Sequence, residues 1–285
     1  MATDLVLRTR APDFWERCGK GFVRGGRAVG QAAVWMGRGV SSAYAAVDPD
    51  VRRHVAQLPL MGLTLLSPRR PGVRAIADDG RRPIVFVHGL LGHPGNFLPM
   101  RKFLAYQGYK RSYAVALESV ATMSASAEQL SRFIEEVIRV NDLGSDATVD
   151  CVGHSMGGLI ARLALEDPAT RARISTLITL GTPHLGTYAA RFGATENVVD
   201  LRPGSQVLAR LRSQLPWRGP PRLFAMWSPS DVLLLPAEAA CAPGADGIEM
   251  PGFTHYSYLL SPAAWGRVHS ILETERERSA LGDLR

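Results

Sequence analysis

One short run of the chain carries the residue types best suited to covalent chemistry. Residues 149–162 read VDCVGHSMGGLIAR: an apolar stretch, a G-x-S-x-G pentapeptide centred on Ser155, and a second stretch with apolar residues at helical spacing. This order predicts a nucleophile elbow, the strand–turn–helix corner that exposes a serine hydroxyl. Gly153 and Gly157 are expected where a Cβ atom would collide with neighbouring backbone. His154, beside the serine, is expected to brace a loop by hydrogen bonding.

A serine nucleophile requires two backbone N–H groups that stabilise the oxyanion formed during acyl transfer. The residue after the nucleophile, Met156, is expected to supply one. Residues 83–92 read PIVFVHGLLG, an apolar strand followed by a glycine-containing loop. Leu90, directly after Gly89, is therefore predicted as the second donor, and His88 is expected to brace this loop. The alternative is an ordinary strand-to-loop turn with glycines for flexibility.

The acid and the base are expected downstream of the serine, because an elbow orders its triad as serine, acid, histidine. Three of the seven histidines follow the serine: His184, His255 and His269. Asp231 follows a compact apolar strand at 223–227 and precedes His255, so these two are predicted as orienting acid and base. A Pro-Ser-Asp turn is also common loop chemistry. His184 precedes the acid and His269 falls in a helical run, so both are expected to be structural.

Together these motifs resemble the α/β-hydrolase superfamily and, within it, bacterial triacylglycerol lipases and esterases. The resemblance covers about residues 80–275 and rests on VHGLLG at 87–92, GHSMGG at 153–158, LGTPHLGT at 180–187, LRPGS at 201–205, the Asp231 turn and the His255 loop. It implies that residues 184–220 form a cap or lid, for which the alternative is a Gly/Pro-rich crossover loop. The sequence predicts no cofactor and no metal site.

The order of elements predicts an α/β fold, with a mostly parallel central sheet flanked by helices. Strands are expected at 83–88, 112–117, 147–152, 174–181 and 222–227, and helices at about 95–107, 125–140, 156–167 and from 262. The domain interpretation is a basic, helical N-terminal extension at 1–80, a hydrolase domain at 81–275 and a tail at 276–285.

The positive charge is concentrated at the N-terminus. Residues 1–82 hold 14 basic and seven acidic residues, whereas residues 83–285 hold 19 of each, so the extension accounts for the net charge of +7. Such a segment, with apolar stretches at 28–37 and 58–66, could contact an anionic membrane surface. The alternative, which we favour, is a helical extension packed on the hydrolase body. Charge alone gives no support for nucleic-acid binding.

Neither apolar stretch reaches the roughly 20 residues needed to cross a bilayer, and no signal peptide is evident. The expectation is a cytoplasmic protein, with secretion as the alternative. Cys18, Cys151 and Cys241 show no pairing pattern, and Cys151, beneath the elbow, is expected to be buried and inert.

The sequence thus predicts a serine carboxylic-ester hydrolase acting on a lipid or small-molecule ester. An acyltransferase or thioesterase with the same triad is the nearer alternative, and a non-catalytic binding protein on the same fold is the remote one. Oligomeric state and acyl-chain preference do not follow from the residues. Eight apolar residues of the expected cap either cover a fatty chain or form the inner face of cap helices: Phe192, Val198, Val199, Val207, Leu208, Leu211, Leu215 and Trp217.

Overall fold

The computed structural model describes residues 47–64, 66–68, 72–118 and 121–282. The chain divides into two units, Met1–Ala56 and Gln57–Arg285. The first described helix, α1 (Pro49–Thr64), continues across this division. The second unit contains the sheet and every predicted site residue.

Six strands and eight further α-helices follow α1 in the described residues. The strands are β1 Ile84–Val87, β2 Ser112–Ala114, β3 Val149–His154, β4 Ile174–Leu180, β5 Arg222–Trp227 and β6 Asp246–Glu249. The helices are α2 Leu98–Tyr106, α3 Met123–Val140, α4 Met156–Ala164, α5 Pro168–Arg173, α6 Glu196–Asp200, α7 Gln206–Arg212, α8 Ser257–Leu260 and α9 Pro262–Gly282. Short 3-10 helices lie at Pro94–Phe97, Tyr188–Phe192 and Ala237–Ala240.

The strands pair in parallel in the order β2-β1-β3-β4-β5-β6. The central strands are buried along nearly their whole length, as expected of a parallel sheet covered on both faces. The strand order reverses between β1 and β3. In open parallel sheets, ligands bind beyond the carboxyl ends of the strands at such a switch point. The loops after β1 and β3 therefore lie where a site is expected.

Two apolar clusters fill the space on the two faces of the sheet. One packs α3 and α4 against the sheet through Leu130, Ile134, Leu159 and Ile160. The other packs α2 and α9 through Met100, Leu104, Val268 and Leu272. Helices α2, α3 and α9 contribute residues at i, i+4 spacing and so present one apolar face inward, whereas α4 is buried along its whole length. This arrangement confirms the predicted α/β class with helices on both faces.

The five predicted strands are present, with shifts of a few residues at their ends. The helix expected at 95–107 begins as the 3-10 turn Pro94–Phe97 before α2. Outside the cap, three strands or α-helices were not predicted, and one of them is the four-residue helix α8. Strand β6 is a mostly exposed edge strand of four residues without an apolar alternation, and α5 is a six-residue helix capped by Asp167. Helix α9 extends to Gly282, through the first part of the segment interpreted as a tail.

The segment expected to form the cap consists of short helices joined by turns. Of its eight apolar residues, Leu208, Leu211 and Trp217 are buried in the cluster that contains α3 and α4, and Val198, Val207 and Leu215 pack against it. Val198, Val207, Leu208 and Leu211 therefore lie on the inner side of the cap helices, and Leu215 and Trp217 follow the second of these helices. Phe192 and Val199 are exposed.

Residues 57–64 of α1 belong to the second unit, where Met61 packs against the cluster that contains α2 and α9. The outer side carries exposed leucines: Leu58, Leu60 and Leu63, followed by Leu66. No helix among the described residues has both the length and the apolar character to cross a membrane. Cys18 and the apolar stretch 28–37 lie outside the described residues.

Candidate active site

Ser155 lies at the corner between β3 and α4 with φ of +55° and ψ of −128°. A positive φ is strained for a residue with a Cβ atom and is characteristic of functional turns. The flanking glycines permit the corner. A Cβ at Gly153 would lie 2.7 Å from Gly158 Cα, and one at Gly157 would overlap the carbonyl oxygen of Val87. Both obstacles are backbone atoms, which cannot move aside.

Backbone and side-chain hydrogen bonds hold the corner from the neighbouring strand. The Ser155 N–H donates to the Leu180 carbonyl at the end of β4 over 2.9 Å. The Thr182 hydroxyl donates to the Ser155 carbonyl over 2.9 Å. Sequence reasoning did not single out Thr182, although it belongs to the GTPHLGT motif used for the resemblance. Its contact gives that motif a mechanical role at the elbow.

The loop after β1 lies directly against the serine corner. A Cβ at Gly89 would approach Ser155 Cβ to 2.8 Å and Met156 N to 3.3 Å. The loop turns tightly, with the Gly92 N–H donating to the Gly89 carbonyl over 3.0 Å and Leu90 at its tip. Met156 is the first residue of α4, and the first N–H groups of a helix have no acceptor within it. The structure thus brings the loop of Leu90 to the N-terminus of α4.

His88 holds this loop through both ring nitrogens. The Leu117 N–H donates to Nε2 over 3.3 Å, so Nδ1 carries the proton and donates to the Gly89 carbonyl over 3.1 Å. Burial lowers the pKa of His88, with His93 as a lesser contribution. A neutral imidazole fixed at both nitrogens suits the bracing role expected for this residue.

Asp231 and His255 form a buried pair on two adjacent loops. His255 Nδ1 lies 2.9 Å from Asp231 Oδ2 and 3.1 Å from Oδ1. The Leu233 N–H also donates to Asp231 Oδ1 over 3.1 Å, which fixes the carboxylate. The Asp231 side chain is fully shielded from solvent. Because Nδ1 donates to the carboxylate, Nε2 is the nitrogen that can accept a proton.

His154 links the elbow to the base loop. Its Nε2 donates to the carbonyl oxygen of His255 over 2.9 Å, and the two ring centroids lie 4.7 Å apart. This contact brings His255 beside the residue that directly precedes Ser155. Burial, reinforced by the neighbouring His255, lowers the pKa of His154 to about 3. His154 is therefore neutral near pH 7 and serves as a hydrogen-bond donor to the base loop.

The two other downstream histidines occupy structural positions. His184 is buried, and its Nε2 donates to the Thr179 hydroxyl over 3.0 Å because that hydroxyl donates onward to the Phe224 carbonyl. Its Nδ1 accepts from the Arg162 guanidinium over 3.3 Å. Burial and the Arg162 charge hold the pKa of His184 well below its usual range. His269 lies on α9, where its ring contacts Phe103 edge-on.

Arg162 of the elbow helix connects α4 to the segment between β4 and β5. Its side chain is fully buried, with Nη2 donating to the Leu211 carbonyl over 2.5 Å and Nε to Gln214 Oε1 over 3.3 Å. Burial lowers the pKa of Arg162 to about 10, so the guanidinium remains charged at neutral pH. Sequence reasoning counted this arginine only as part of the elbow run.

The strand order and the elbow between β3 and α4 define a protein of the α/β-hydrolase fold. Residues 100–199 match the model of the PGAP1-like alpha/beta domain family. Mature Bacillus licheniformis lipase BlEst2 has a similar structure, at 19% identity and a TM-score of 0.60, over 72% of this chain and 96% of that one.

Two further solved structures are similar. Aspergillus fumigatus lipase B shares 16% identity with a TM-score of 0.57 over 69% of this chain and 53% of that one, so the chain spans about half of its length. MGS-MChE2, an α/β-hydrolase enzyme from a metagenome of Mar Chica lagoon sediments in Morocco, shares 21% identity with a TM-score of 0.51, over 72% of this chain and 94% of that one. At these identities the likeness establishes the fold.

Proposed function

We propose that the protein is a serine carboxylic-ester hydrolase that cleaves acyl esters through Ser155, His255 and Asp231. The observation that carries the proposal is the buried hydrogen bond between His255 Nδ1 and Asp231, on a loop that His154 ties to the elbow. A histidine oriented in this way beside a strained, partly exposed serine has the geometry of a nucleophile and its general base.

The reaction follows from these positions. The Ser155 hydroxyl attacks the ester carbonyl while His255 Nε2 accepts its proton, and the N–H groups of Leu90 and Met156 stabilise the oxyanion. The imidazolium, stabilised by Asp231, then protonates the leaving alcohol as the C–O bond breaks. Water attacks the acyl-enzyme with His255 again as base, and the acid and free serine are released.

Turnover of p-nitrophenyl esters, from acetyl to palmitoyl, tests the proposal. The wild type is expected to release nitrophenol, and Ser155→Ala is expected to lose this activity by at least about 10³-fold. Ser145→Ala is the matched control, because Ser145 is an exposed serine in the turns before β3, at the opposite end of that strand. Equal rates for wild type and Ser155→Ala would refute the nucleophile assignment.

The acyl acceptor distinguishes this proposal from its nearest alternative. An acyltransferase or thioesterase would use the same triad, with an alcohol or amine as acceptor or a thioester as donor. Serine-dependent acyl transfer that exceeds hydrolysis in the presence of added alcohols would favour the transferase. A non-catalytic binding protein predicts no labelling of Ser155 by a fluorophosphonate.

The position of the cap residues bears on the choice between lipase and esterase. Of the eight apolar residues that could either cover a fatty chain or form the inner face of cap helices, six pack in or against the protein core, and Phe192 and Val199 are exposed. We therefore propose that short to medium acyl chains are preferred. An optimum at palmitoyl would contradict this preference.

We also propose peripheral contact with a lipid surface through the outer side of α1. Leu58, Leu60 and Leu63 are exposed there, and Leu91 at the tip of the loop after β1 is 88% exposed. Exposed apolar side chains near a basic segment favour anionic interfaces. Flotation with phosphatidylglycerol vesicles tests this: binding that is unchanged in Leu60→Ser/Leu63→Ser would contradict it.

A further inference from the structure

We propose that Gln57 of α1 is a positioning residue for the catalytic base, holding the loop of His255 from outside the predicted hydrolase domain. This inference rests on the proposed function. Residues 57, 61 and 64 share one side of α1, because the spacing i, i+4, i+7 returns to the same helix face. Thr64 is buried and Gln57 and Met61 are partly buried, and each contacts other residues of the second unit.

The Gln57 amide bridges the two residues that flank the base loop. Its Oε1 accepts from the Thr254 hydroxyl over 2.8 Å, and its Nε2 donates to the Ser257 hydroxyl oxygen over 2.8 Å. The Thr254 N–H donates to the same Ser257 oxygen over 2.9 Å. These bonds form a closed ring through Gln57, Thr254 and Ser257, and His255 lies between the two loop members in the sequence.

The two loop members of the ring are buried, which limits the access of water to their hydroxyl groups. Thr254 is fully buried and Ser257 is 6% exposed. A buried hydroxyl that loses its acceptor is still removed from water, so its desolvation raises the free energy of the folded state. This favours a rearrangement of the loop that restores a hydrogen-bond partner. The loop that would move is the one that sets the distance from His255 Nε2 to the serine hydroxyl.

His255 is thus held at three points by three different parts of the chain. Asp231 holds the ring at Nδ1, His154 holds the backbone carbonyl, and Gln57 holds the residues on either side. The first two restrain the base itself, whereas Gln57 restrains the course of the loop. A shift of about 1 Å in a catalytic group can reduce the rate by about 100-fold.

The far end of the same helix segment contacts the region that follows the loop of Leu90. Thr64 Oγ1 accepts from the Asn96 side-chain amide over 2.6 Å, and Asn96 Oδ1 accepts from the His93 N–H over 2.5 Å. Residues 57–64 therefore connect the base loop with the segment after the oxyanion loop. This connection gives the helix a positioning role in the second unit, in addition to covering an apolar cluster.

Steady-state kinetics per active site test the proposal in the full chain. Gln57→Leu removes both hydrogen bonds at similar volume, and Gln57→Glu retains an acceptor for Thr254. Titration with a fluorophosphonate gives the concentration of reactive serine, so misfolded protein does not contribute. We expect Gln57→Leu to lower kcat by about 10- to 100-fold with KM within about twofold, and Gln57→Glu to recover most of the loss. Val55→Ala, at an exposed position of the same helix, is the matched control and should match the wild type.

A second variant separates positioning from stability. Thr254→Val removes the partner of Gln57 Oε1, and the double variant Gln57→Leu/Thr254→Val should lose little more than the larger single loss, since both break one ring. Unchanged kcat per titrated site in Gln57→Leu, or losses that simply multiply, would overturn the proposal.

If the proposed function is wrong, the wild type will show no Ser155-dependent turnover, and this result is independent of the Gln57 variants. In that case, the NMR signals of the His255 ring still report on the ring of hydrogen bonds. They should shift or broaden in Gln57→Leu and remain unchanged in Val55→Ala. Identical His255 signals in all three proteins would again overturn the positioning role.

Discussion

The neutral state of His154 makes the stability of the protein dependent on pH in a calculable way. Burial, with His255 nearby, lowers the pKa of His154 from 6.5 to about 3. Below pH 6.5, the unfolded chain binds a proton at residue 154, whereas the folded chain does not until about pH 3. Acid therefore favours the unfolded state, and the free energy of unfolding falls as the pH is lowered through this interval.

The size of the effect follows from the pKa difference. One pKa unit corresponds to about 1.4 kcal/mol, so the contribution of His154 changes by about 2 kcal/mol between pH 6.5 and 5. His88 and His184 also have lowered pKa values and add to the acid sensitivity of the wild type. The informative quantity is therefore the difference between the wild type and a variant changed only at residue 154.

His154→Gln supplies that comparison, because glutamine retains an N–H donor for the His255 carbonyl and does not titrate. Urea unfolding followed by tryptophan fluorescence at pH 5 to 8 gives the free energies. We expect the wild type to lose about 2 kcal/mol more than His154→Gln between pH 6.5 and 5. Above pH 7.5 the two curves should run parallel, which serves as the internal control. Equal slopes below pH 6.5 would refute the neutral, buried state of this histidine.

Three further predictions concern single residues. Asp231→Asn should lower kcat for ester hydrolysis by about 10⁴-fold, because the amide favours the wrong imidazole tautomer; a loss below tenfold in steady-state assays would contradict the triad. Gly89→Ala should lower kcat by about 10²- to 10³-fold, because the added Cβ would lie 2.8 Å from the Cβ of the elbow serine and displace the oxyanion loop; unchanged kcat would exclude that role. Arg162→Met should destabilise the fold by about 2–4 kcal/mol in urea unfolding, because buried acceptors lose their donor. The exposed control Arg212→Met should change stability by less than about 0.5 kcal/mol, and equal effects of the two variants would contradict the structural role of Arg162.

The fold was predictable because its signals are local. Buried parallel strands appear as short apolar runs, and the corner residues of an elbow are adjacent in sequence, so β3, α4 and Ser155 could be recognised together. Strand β6 has no such signal. It is an edge strand of four mostly exposed residues, and its pairing with β5 depends on tertiary contact alone.

The cap shows where residue type is insufficient. Apolar residues at helical spacing are expected both in a cap that covers a ligand and in a helix that covers the core. Leu208 and Leu211 could not be assigned to one or the other from the sequence, and the structure shows them in the core.

The burial of the Cys151 thiol was easier to predict than the position of the cap residues, because Cys151 lies in the middle of a central strand. Burial raises the pKa of its thiol to about 12.

The contacts that fix the base illustrate the limit of sequence reasoning in physical terms. The acid and base could be ordered along the chain because the elbow architecture prescribes that order. The residues that hold the base in place follow no such rule: Gln57 is about 200 positions from Thr254, and the partner of His154 is a backbone carbonyl. Every residue carries a backbone carbonyl, so the sequence does not indicate which carbonyl accepts the hydrogen bond. A glutamine on a helix is most often a solvated side chain. Such positioning contacts are therefore found from the geometry of the loop, starting at the base and following each hydrogen bond outward to the element that supplies it.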